Sequence, residues 1–168
     1  MKSYFKNKKV LITGNTGFKG SWLAFILHKA GADVVGYALE PSTDMSHFNL
    51  LSLKNKIKHI SGDIRDLALL KNTIHKHRPE FVFHLAAQAL VRSSYQDPSN
   101  TYSTNVIGSL NLLESVKSCD SIRSLIFVTS DKCYENLEIE RGYDENDLLG
   151  GRDPYSSSKA CAEILFSS

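Results

Sequence analysis

Short apolar runs alternate with longer, more polar segments along most of this chain. The apolar runs cover residues 9–13, 33–38, 57–60, 81–85 and 124–129. Runs of this length that are rich in Val, Ile and Phe and bounded by Gly, Pro or polar residues are typical of buried strands. The pattern therefore predicts five strands, the first of which suits a buried parallel strand.

The segments between these runs predict helices. Helices are expected over residues 21–30, 67–77 and 100–119, and another begins near Pro154. Gly31 follows the first of them as a C-terminal cap. Alternation of strand and helix predicts an α/β fold with a doubly wound parallel sheet, in which ligands bind at the carboxyl ends of the strands.

Composition and charge indicate an ordinary folded protein. The 168 residues are 42% hydrophobic and 23% charged, with a net charge of +2. This balance predicts no nucleic-acid partner and no membrane partner, and no apolar run reaches the roughly 18 residues of a membrane span. Cys119, Cys133 and Cys161 have no metal-ligand spacing, so we expect reduced thiols, no metal site and a cytoplasmic location.

A glycine-rich turn separates the first strand from the first helix. Gly14, Gly17 and Gly20 form a G-x-x-G-x-x-G pattern, which allows backbone N–H groups at a helix N-terminus to approach a pyrophosphate. The alternative is a purely structural turn. The strand before the turn and the helix after it favour nucleotide binding.

Carboxylates follow the second and third strands. Glu40 either binds the adenosine ribose or is a surface charge, and the absence of a nearby Arg in the sequence favours NAD over NADP. Asp63 is interpreted as a contact for adenine. The alternative, that Asp63 caps the following helix, suits Asp66 better.

Small residues follow the fourth strand and let a dinucleotide lie close to the backbone. They belong to the segment Leu85, Ala86, Ala87 and Gln88. His84, at the strand end, is interpreted as a hydrogen-bonded core histidine rather than a ligand. Arg92, farther on, either clamps a phosphate or carboxylate or is simply solvated.

The densest acid–base chemistry follows the fifth strand. Ser130, Asp131 and Lys132 come directly after it, and Tyr155 and Lys159 lie one helical turn apart in the last helix. A tyrosine, with a reference pKa of about 10, needs nearby positive charge to act as a base at neutral pH, and Lys159 supplies one. We expect these five residues to be catalytic.

Four motifs resemble the extended short-chain dehydrogenase/reductase superfamily, in its NAD-dependent epimerase/dehydratase family. They are the glycine turn, H-L-A-A-Q from His84, T-N-V-x-G from Thr104 and Y-x-x-x-K from Tyr155. Within it, S-D-K-C-Y-E-N from Ser130 resembles the CDP-glucose 4,6-dehydratase family. The resemblance implies a Rossmann-type domain with NAD as cofactor. The implied cofactor-binding residues are Gly14, Thr16, Gly17, Phe18, Gly20, Asp63, Ile64, Leu85, Ala86, Ala87, Gln88, Asn105, Tyr155 and Lys159.

The same resemblance implies a lyase reaction in deoxysugar and lipopolysaccharide biosynthesis, with CDP-glucose as substrate and CDP-4-keto-6-deoxyglucose as product. Tyr155 would take the proton of the 4-hydroxyl, Ser130 would bind that oxygen, and Lys159 would stabilise the phenolate. Asp131 would protonate the leaving 6-hydroxyl. Lys132 is interpreted as the base at C5, provided that burial and nearby positive charges favour its neutral form; the alternative is a cation that stabilises the enolate.

The resemblance also implies the extent of the domain. Residues 1–168 are expected to form an incomplete NAD-binding domain without the substrate domain, because the last helix ends without a cap or a further strand. A homodimer is expected for the full-length protein. Two alternatives stay open: an NAD-dependent nucleotide-sugar epimerase or reductase, and a non-catalytic NAD-binding fragment.

Overall fold

Five parallel strands form one sheet in the computed structural model, which describes residues 4–168. Their order is β3-β2-β1-β4-β5. The strands are β1 (Lys9–Thr13), β2 (Asp33–Ala38), β3 (Lys58–Ser61), β4 (Phe81–His84) and β5 (Ser124–Phe127). Strand order reverses at β1, which pairs with both β2 and β4. The predicted doubly wound parallel sheet is confirmed.

Helices connect the strands. They are α1 (Phe18–Lys29), α2 (His47–Leu50), α3 (Leu67–His77), α4 (Val91–Gln96), α5 (Pro98–Tyr102), α6 (Gly108–Lys117) and α7 (Pro154–Ser167), with a π-helical segment at Ser103–Ile107 and 3-10 turns at Leu53–Asn55 and Asp131–Cys133. The predicted bounds of α3 and the start of α7 are confirmed. Helix α1 begins three residues earlier than predicted, and α2 and α4 were not predicted.

The chain forms two compact units. The first comprises residues 1–86 and 111–128, of which residues 4 onward are described, and the second comprises residues 87–110 and 129–168. The whole sheet belongs to the first unit.

Alternate side chains of the sheet pack into two apolar clusters in the first unit. Val10 and Ile12 of β1 contribute to a cluster with Leu27 of α1. Leu11, between them, belongs to a second cluster with Ile74 of α3. Both faces are covered because successive strand residues point to opposite sides.

The second unit is built around α7. Ser94 of α4 is fully buried, and its hydroxyl accepts a hydrogen bond from the backbone N–H of Tyr155 at 3.1 Å. Asp153 caps α7 by accepting from the N–H of Ser156, and Pro154 occupies its first turn. These contacts fix the start of the helix that carries Tyr155.

The structure also describes the three cysteines and tests the helices for membrane-spanning length. All three cysteines are free, and Cys119 and Cys133 are buried. Burial, followed by the nearby carboxylate of Glu163, raises the pKa of the Cys133 thiol, so this thiol stays protonated at neutral pH. Within residues 4–168, no helix combines the length and apolar character needed to span a membrane.

Candidate active site

The glycine-rich turn in the first unit is sterically closed to larger residues. Gly14 has φ of +74°, and a Cβ atom there would lie 2.7 Å from the backbone nitrogen of Ala86. A Cβ atom on Gly20 would lie 2.1 Å from the carbonyl oxygen of Gly14. Glycine is therefore required at both positions for the turn to pack against itself and the end of β4.

Helix α1 begins directly after this turn. Its N-cap is Gly17, which has no side-chain oxygen to bond the first-turn N–H groups. Such a helix start suits an anionic ligand because backbone donors and the helix dipole both favour negative charge. Thr16 donates to the carbonyl of Leu39, and Phe18 is 72% exposed. The predicted pyrophosphate-binding residues thus have a local geometry that fits such a group.

The end of β4 is fixed by one buried hydroxyl. The Oγ1 atom of Thr13 accepts from the backbone N–H groups of Leu85 and Ala86, each at 3.2 Å. Its proton is then available for the Nδ1 atom of His84, 2.7 Å away. His84 is buried, which confirms the prediction of a hydrogen-bonded core histidine.

Two aspartates in the loop after β3, Asp63 and Asp66, have different partners. Asp66 caps α3 by accepting from the N–H of Leu69 at 2.9 Å, as the sequence favoured. The Asp63 carboxylate instead binds Arg65, with Nε 2.9 Å from Oδ1, and this contact lowers the pKa of Asp63. Ile64 between them is buried. A contact between Asp63 and adenine stays a prediction.

The predicted catalytic residues all lie in the second unit, in two groups. Ser130, Asp131 and Lys132 form the first group, at a 3-10 turn. Ser130 Oγ donates to Asp131 Oδ1 at 3.1 Å and accepts from the N–H of Lys132 at 3.3 Å. Asp131 and Lys132 are exposed. Burial was one of the two features expected to favour Lys132 as a base, and the side chain is exposed here; its role stays a prediction.

Tyr155 and Lys159 form the second group, on one face of α7. Both are buried, at 8% and 7% exposure. The Nζ atom of Lys159 lies 6.0 Å from the centre of the Tyr155 ring. The expected support of Tyr155 by the positive charge of Lys159 stays a prediction.

A hydroxyl–carboxylate contact joins the segment after β5 to α7. Thr129, which precedes Ser130, donates through its hydroxyl to Glu163. Glu163 lies one helical turn beyond Lys159. The segment that carries the first predicted catalytic group is thus tied to the helix that carries the second. Glu163 was not among the predicted site residues.

Asn105 ties the residues after β4 to α7. Its Oδ1 atom accepts from the N–H of Gln88 at 2.8 Å, and its Nδ2 atom donates to the Gln88 carbonyl at 3.0 Å. The same Nδ2 atom donates to Ser158 Oγ at 2.8 Å. Asn105, predicted to bind cofactor, is buried and uses its amide to fix Gln88. Ala87, which precedes Gln88 in the chain, is half-buried.

A cleft of about 320 Å³ lies within the second unit. Asp131 and Lys132 line it, whereas Tyr155 and Lys159 lie outside its lining. The remaining lining residues are Tyr134, Glu135, Asn136, Glu138, Tyr143, Gly151, Arg152, Asp153 and Ser156. Arg92, considered earlier as an anion clamp, is exposed on α4. Across residues 4–168, no cluster of three or more His, Cys, Asp or Glu side chains could hold a metal ion.

The residues that position the predicted catalytic side chains were not themselves predicted. Ser94, Ser158 and Glu163 bond the backbone or side chains around Tyr155, Asn105 and Thr129, respectively. Serines carry no signal in a single sequence because their roles depend on partners that are distant along the chain. Glu163 carried a weak signal, since it follows Tyr155 and Lys159 at the same four-residue spacing.

Comparison with solved structures supports the architecture. The fold matches UDP-glucose 4-epimerase from Brucella ovis, whose crystal structure contains NAD, with a TM-score of 0.81 and 30% identity. The match covers 95% of this chain and 47% of that one.

Comparison with curated proteins points to related enzymes. The chain is 51% identical to CDP-glucose 4,6-dehydratase of Salmonella typhimurium over 99% of its own length and 46% of that protein. It is 33% identical to CDP-paratose 2-epimerase of Salmonella typhi, over 92% of this chain and 51% of that protein. The chain spans about half the length of the curated relatives it matches.

A sequence profile of the family described as GDP-mannose 4,6 dehydratase matches residues 11–168. The match includes the glycine turn, the Ser130–Asp131–Lys132 group and both polar residues of α7. On this evidence the chain belongs to the GDP-mannose 4,6 dehydratase family of nucleotide-sugar dehydratases and epimerases.

Proposed function

We propose that the protein acts in the NAD-dependent dehydration of CDP-glucose to CDP-4-keto-6-deoxyglucose, as a nucleotide-sugar 4,6-dehydratase. The observation that carries this proposal is the 51% identity to a CDP-glucose 4,6-dehydratase along essentially the whole chain. The presence of Asp131 and Lys132 beside Ser130 supports it, since elimination needs proton-transfer and electrostatic groups beyond those of simple redox chemistry.

NAD fits the residues of the glycine turn and the end of β4. When bound, it would accept a hydride from C4 of the sugar and return it to C6. The closed turn at Gly14 and Gly20 and the uncapped start of α1 support pyrophosphate binding there. The proposal also includes the other residues predicted to bind the cofactor, which are Thr16, Gly17, Phe18, Asp63, Ile64, Gln88, Asn105, Tyr155 and Lys159.

The chain's own residues would move the protons. Tyr155, as phenolate, takes the proton of the sugar 4-hydroxyl, and the buried ammonium of Lys159 stabilises the phenolate. Ser130 donates a hydrogen bond to the same oxygen. The resulting 4-ketone acidifies the C5–H bond, and Asp131 in its protonated form donates to the 6-hydroxyl, which leaves as water.

Lys132 has two candidate roles in the step at C5. A base must be a neutral amine, whereas a stabilising cation needs no burial, and Lys132 is exposed in the described part of the chain. We propose that Lys132 acts as an ammonium that stabilises the negative charge of the enolate, and that a solvent water, which this exposed position admits, takes the C5 proton.

Epimerisation is the second candidate function. It is supported by the 33% identity to a CDP-paratose 2-epimerase and by the structural match to an NAD-bound UDP-glucose 4-epimerase. An epimerase uses Ser130, Tyr155 and Lys159 but needs no acid at Asp131. The pairing of Asp131 with Lys132 therefore favours the dehydratase.

A chimera tests the proposal. This chain would be joined to the part of the Salmonella typhimurium relative that the match leaves uncovered, and the product would be incubated with NAD and CDP-glucose. We expect the ultraviolet absorbance that 4-keto sugars develop in alkali, and much less of it with UDP-glucose. A folded chimera that binds NAD but only epimerises CDP-glucose, or leaves it unchanged, would overturn the proposal.

Two further expectations belong to this proposal. A cytoplasmic location follows from the reduced cysteines and a nucleotide-sugar substrate. Homodimerisation through the helix that follows Tyr155 is expected by analogy with the superfamily and can be tested by sedimentation.

A further inference from the structure

A buried polar pair lies beneath the glycine-rich turn of the first unit. Asn15, in the turn, is fully buried, and the side chain of His59, in β3, is 4% exposed. Asn15 Nδ2 lies 3.2 Å from His59 Nδ1. Gly36 leaves the space, since a Cβ atom there would lie 2.3 Å from Asn15 Cγ. For Asn15 Oδ1 and His59 Nε2, residues 4–168 supply no hydrogen-bond partner.

The carboxylate of Glu40 is the group that faces this pair. Its Oε1 atom lies 3.6 Å from His59 Nε2, and its side chain is 57% exposed. The hydrogen bond from Thr16 to the carbonyl of Leu39 fastens the preceding residue to the glycine turn. Glu40 thus has one oxygen near a buried imidazole, on a side chain that is more than half exposed.

Glu40 and Asn15 together determine the tautomer of His59. With the Asn15 amide nitrogen donating to Nδ1, the proton of the neutral ring is on Nε2 and points toward Glu40. The opposite tautomer would place the lone pair of Nε2 against a carboxylate oxygen, which is unfavourable. Burial lowers the pKa of His59, and this supports a neutral ring at pH 7.

We propose that His59 is a positioning residue, which holds Glu40 so that its exposed oxygen accepts a hydroxyl of the adenosine ribose and repels a 2′-phosphate at that place. A carboxylate after the second strand of a dinucleotide-binding sheet is suitably placed for the ribose. Here the carboxylate is on a loop, and the buried imidazole limits where its Oε1 atom can lie. The inference rests on the proposed binding of NAD.

Two amide variants of His59 separate its contacts. The amide of a Gln side chain reaches the position of Nε2 and keeps the donor for Glu40, whereas that of Asn reaches only the position of Nδ1 and keeps the contact with Asn15. The experiment measures the affinities of NAD and NADP by calorimetry for the protein, His59→Gln, His59→Asn and Glu40→Gln. His75→Gln, at an exposed position on α3, is the control.

We expect the unmodified protein and His75→Gln to prefer NAD. Glu40→Gln and His59→Asn should each lower the ratio of NADP to NAD dissociation constants by about tenfold, and His59→Gln by no more than about threefold. The double variant His59→Asn/Glu40→Gln should lose no more than Glu40→Gln alone, because both act on one contact. Nitrogen NMR of the unmodified protein should show the His59 proton on Nε2.

The outcomes separate the inference from the proposed function. If the unmodified protein binds neither dinucleotide, the proposal of NAD binding fails and the inference fails with it. If it prefers NAD and Glu40→Gln removes the preference while His59→Asn keeps it, the inference alone is overturned. Equal losses in His59→Asn and His59→Gln, or a proton on Nδ1, would also overturn it.

Discussion

The side-chain amide of Asn105 donates to the hydroxyl of Ser158 at 2.8 Å, with both residues buried. Ser158 in turn donates to the carbonyl of Tyr155 at 2.7 Å, one turn earlier in α7. Asn105 lies in the π-helical segment Ser103–Ile107, a distortion that is frequent at functional sites. The segment that follows β4 and the helix that carries the candidate catalytic tyrosine therefore share one buried hydrogen-bond network.

Replacing Asn105 with Leu should destabilise the protein strongly. The substitution keeps the approximate volume but leaves the N–H and carbonyl of Gln88 and the hydroxyl of Ser158 without their partner. We expect a loss of about 1–3 kcal/mol in the free energy of unfolding, measured in urea. Asn72→Leu, at an exposed position on α3, should change it by less than about 0.5 kcal/mol. Similar values for the two variants would contradict a structural role for the network.

Replacing Gly14 with Ala should disrupt the glycine turn. The positive φ disfavours any side chain, and the added Cβ atom would collide with backbone atoms of Leu85 and Ala86. We expect a loss of at least about 1 kcal/mol in unfolding free energy, together with loss of NAD binding in calorimetry. Gly142→Ala is a matched control because a Cβ atom there has nothing within 4 Å. A Gly14→Ala protein as stable as this control would refute the steric argument.

The sequence predicted those parts of the fold whose apolar pattern is local. The bounds of β1, β2 and α3 agree with prediction because the two strands are continuous apolar runs and α3 is a helical period that begins after its cap, Asp66. Helix α5 begins at Pro98, two residues before the predicted helix start. Asp97 caps it and Pro98 occupies its first turn, a signal that was present in the sequence.

The features that the sequence did not predict depend on tertiary contacts. Helix α2 has only four residues, and its Phe48 is held in the core of the first unit, so no periodic pattern was available to reveal it. The hydrogen bonds of Asn105 join residues 17 and 53 positions away. The exposure of Lys132 is decided by the path of the 3-10 turn that follows β5, which composition does not specify.

The buried His59 should make stability depend on pH. Burial lowers its pKa below the ordinary value, with Glu40 opposing this shift and Lys54 adding to it. Because the unfolded chain then binds the proton more readily, this contribution to stability is complete above the unfolded pKa and is lost as the pH falls toward the folded value. We expect the urea midpoint to fall between about pH 7 and about pH 5, and to fall less in His59→Gln. The same decline in both proteins would contradict this assignment.

The loop bordering the cleft should keep its ion pair in acid. Arg141 donates to both carboxylate oxygens of Asp147, and the N–H of Asp144 donates to one of them. The pKa of Asp147 is lowered to about 2, mainly by its hydrogen bonds with Arg141. NMR titration should therefore give a midpoint near 2 for Asp147, and Arg141→Gln should raise it toward about 4, whereas Arg152→Gln should not. A midpoint near 4 in the unmodified protein would show that the pair does not form.

Lys132 offers the most direct test of the chemistry, because arginine keeps a positive charge but does not act as a base. If Lys132 stabilises the enolate as a cation, Lys132→Arg in the chimera should retain activity within about tenfold. Lys132→Met should then lose about a hundredfold or more. The measurements are the rate of 4-keto sugar formation and the exchange of the C5 hydrogen with deuterated solvent. Lys117→Met, at an exposed position on α6, controls for loss of a surface charge. Equal loss of C5 exchange in the Arg and Met variants would instead assign Lys132 as the base.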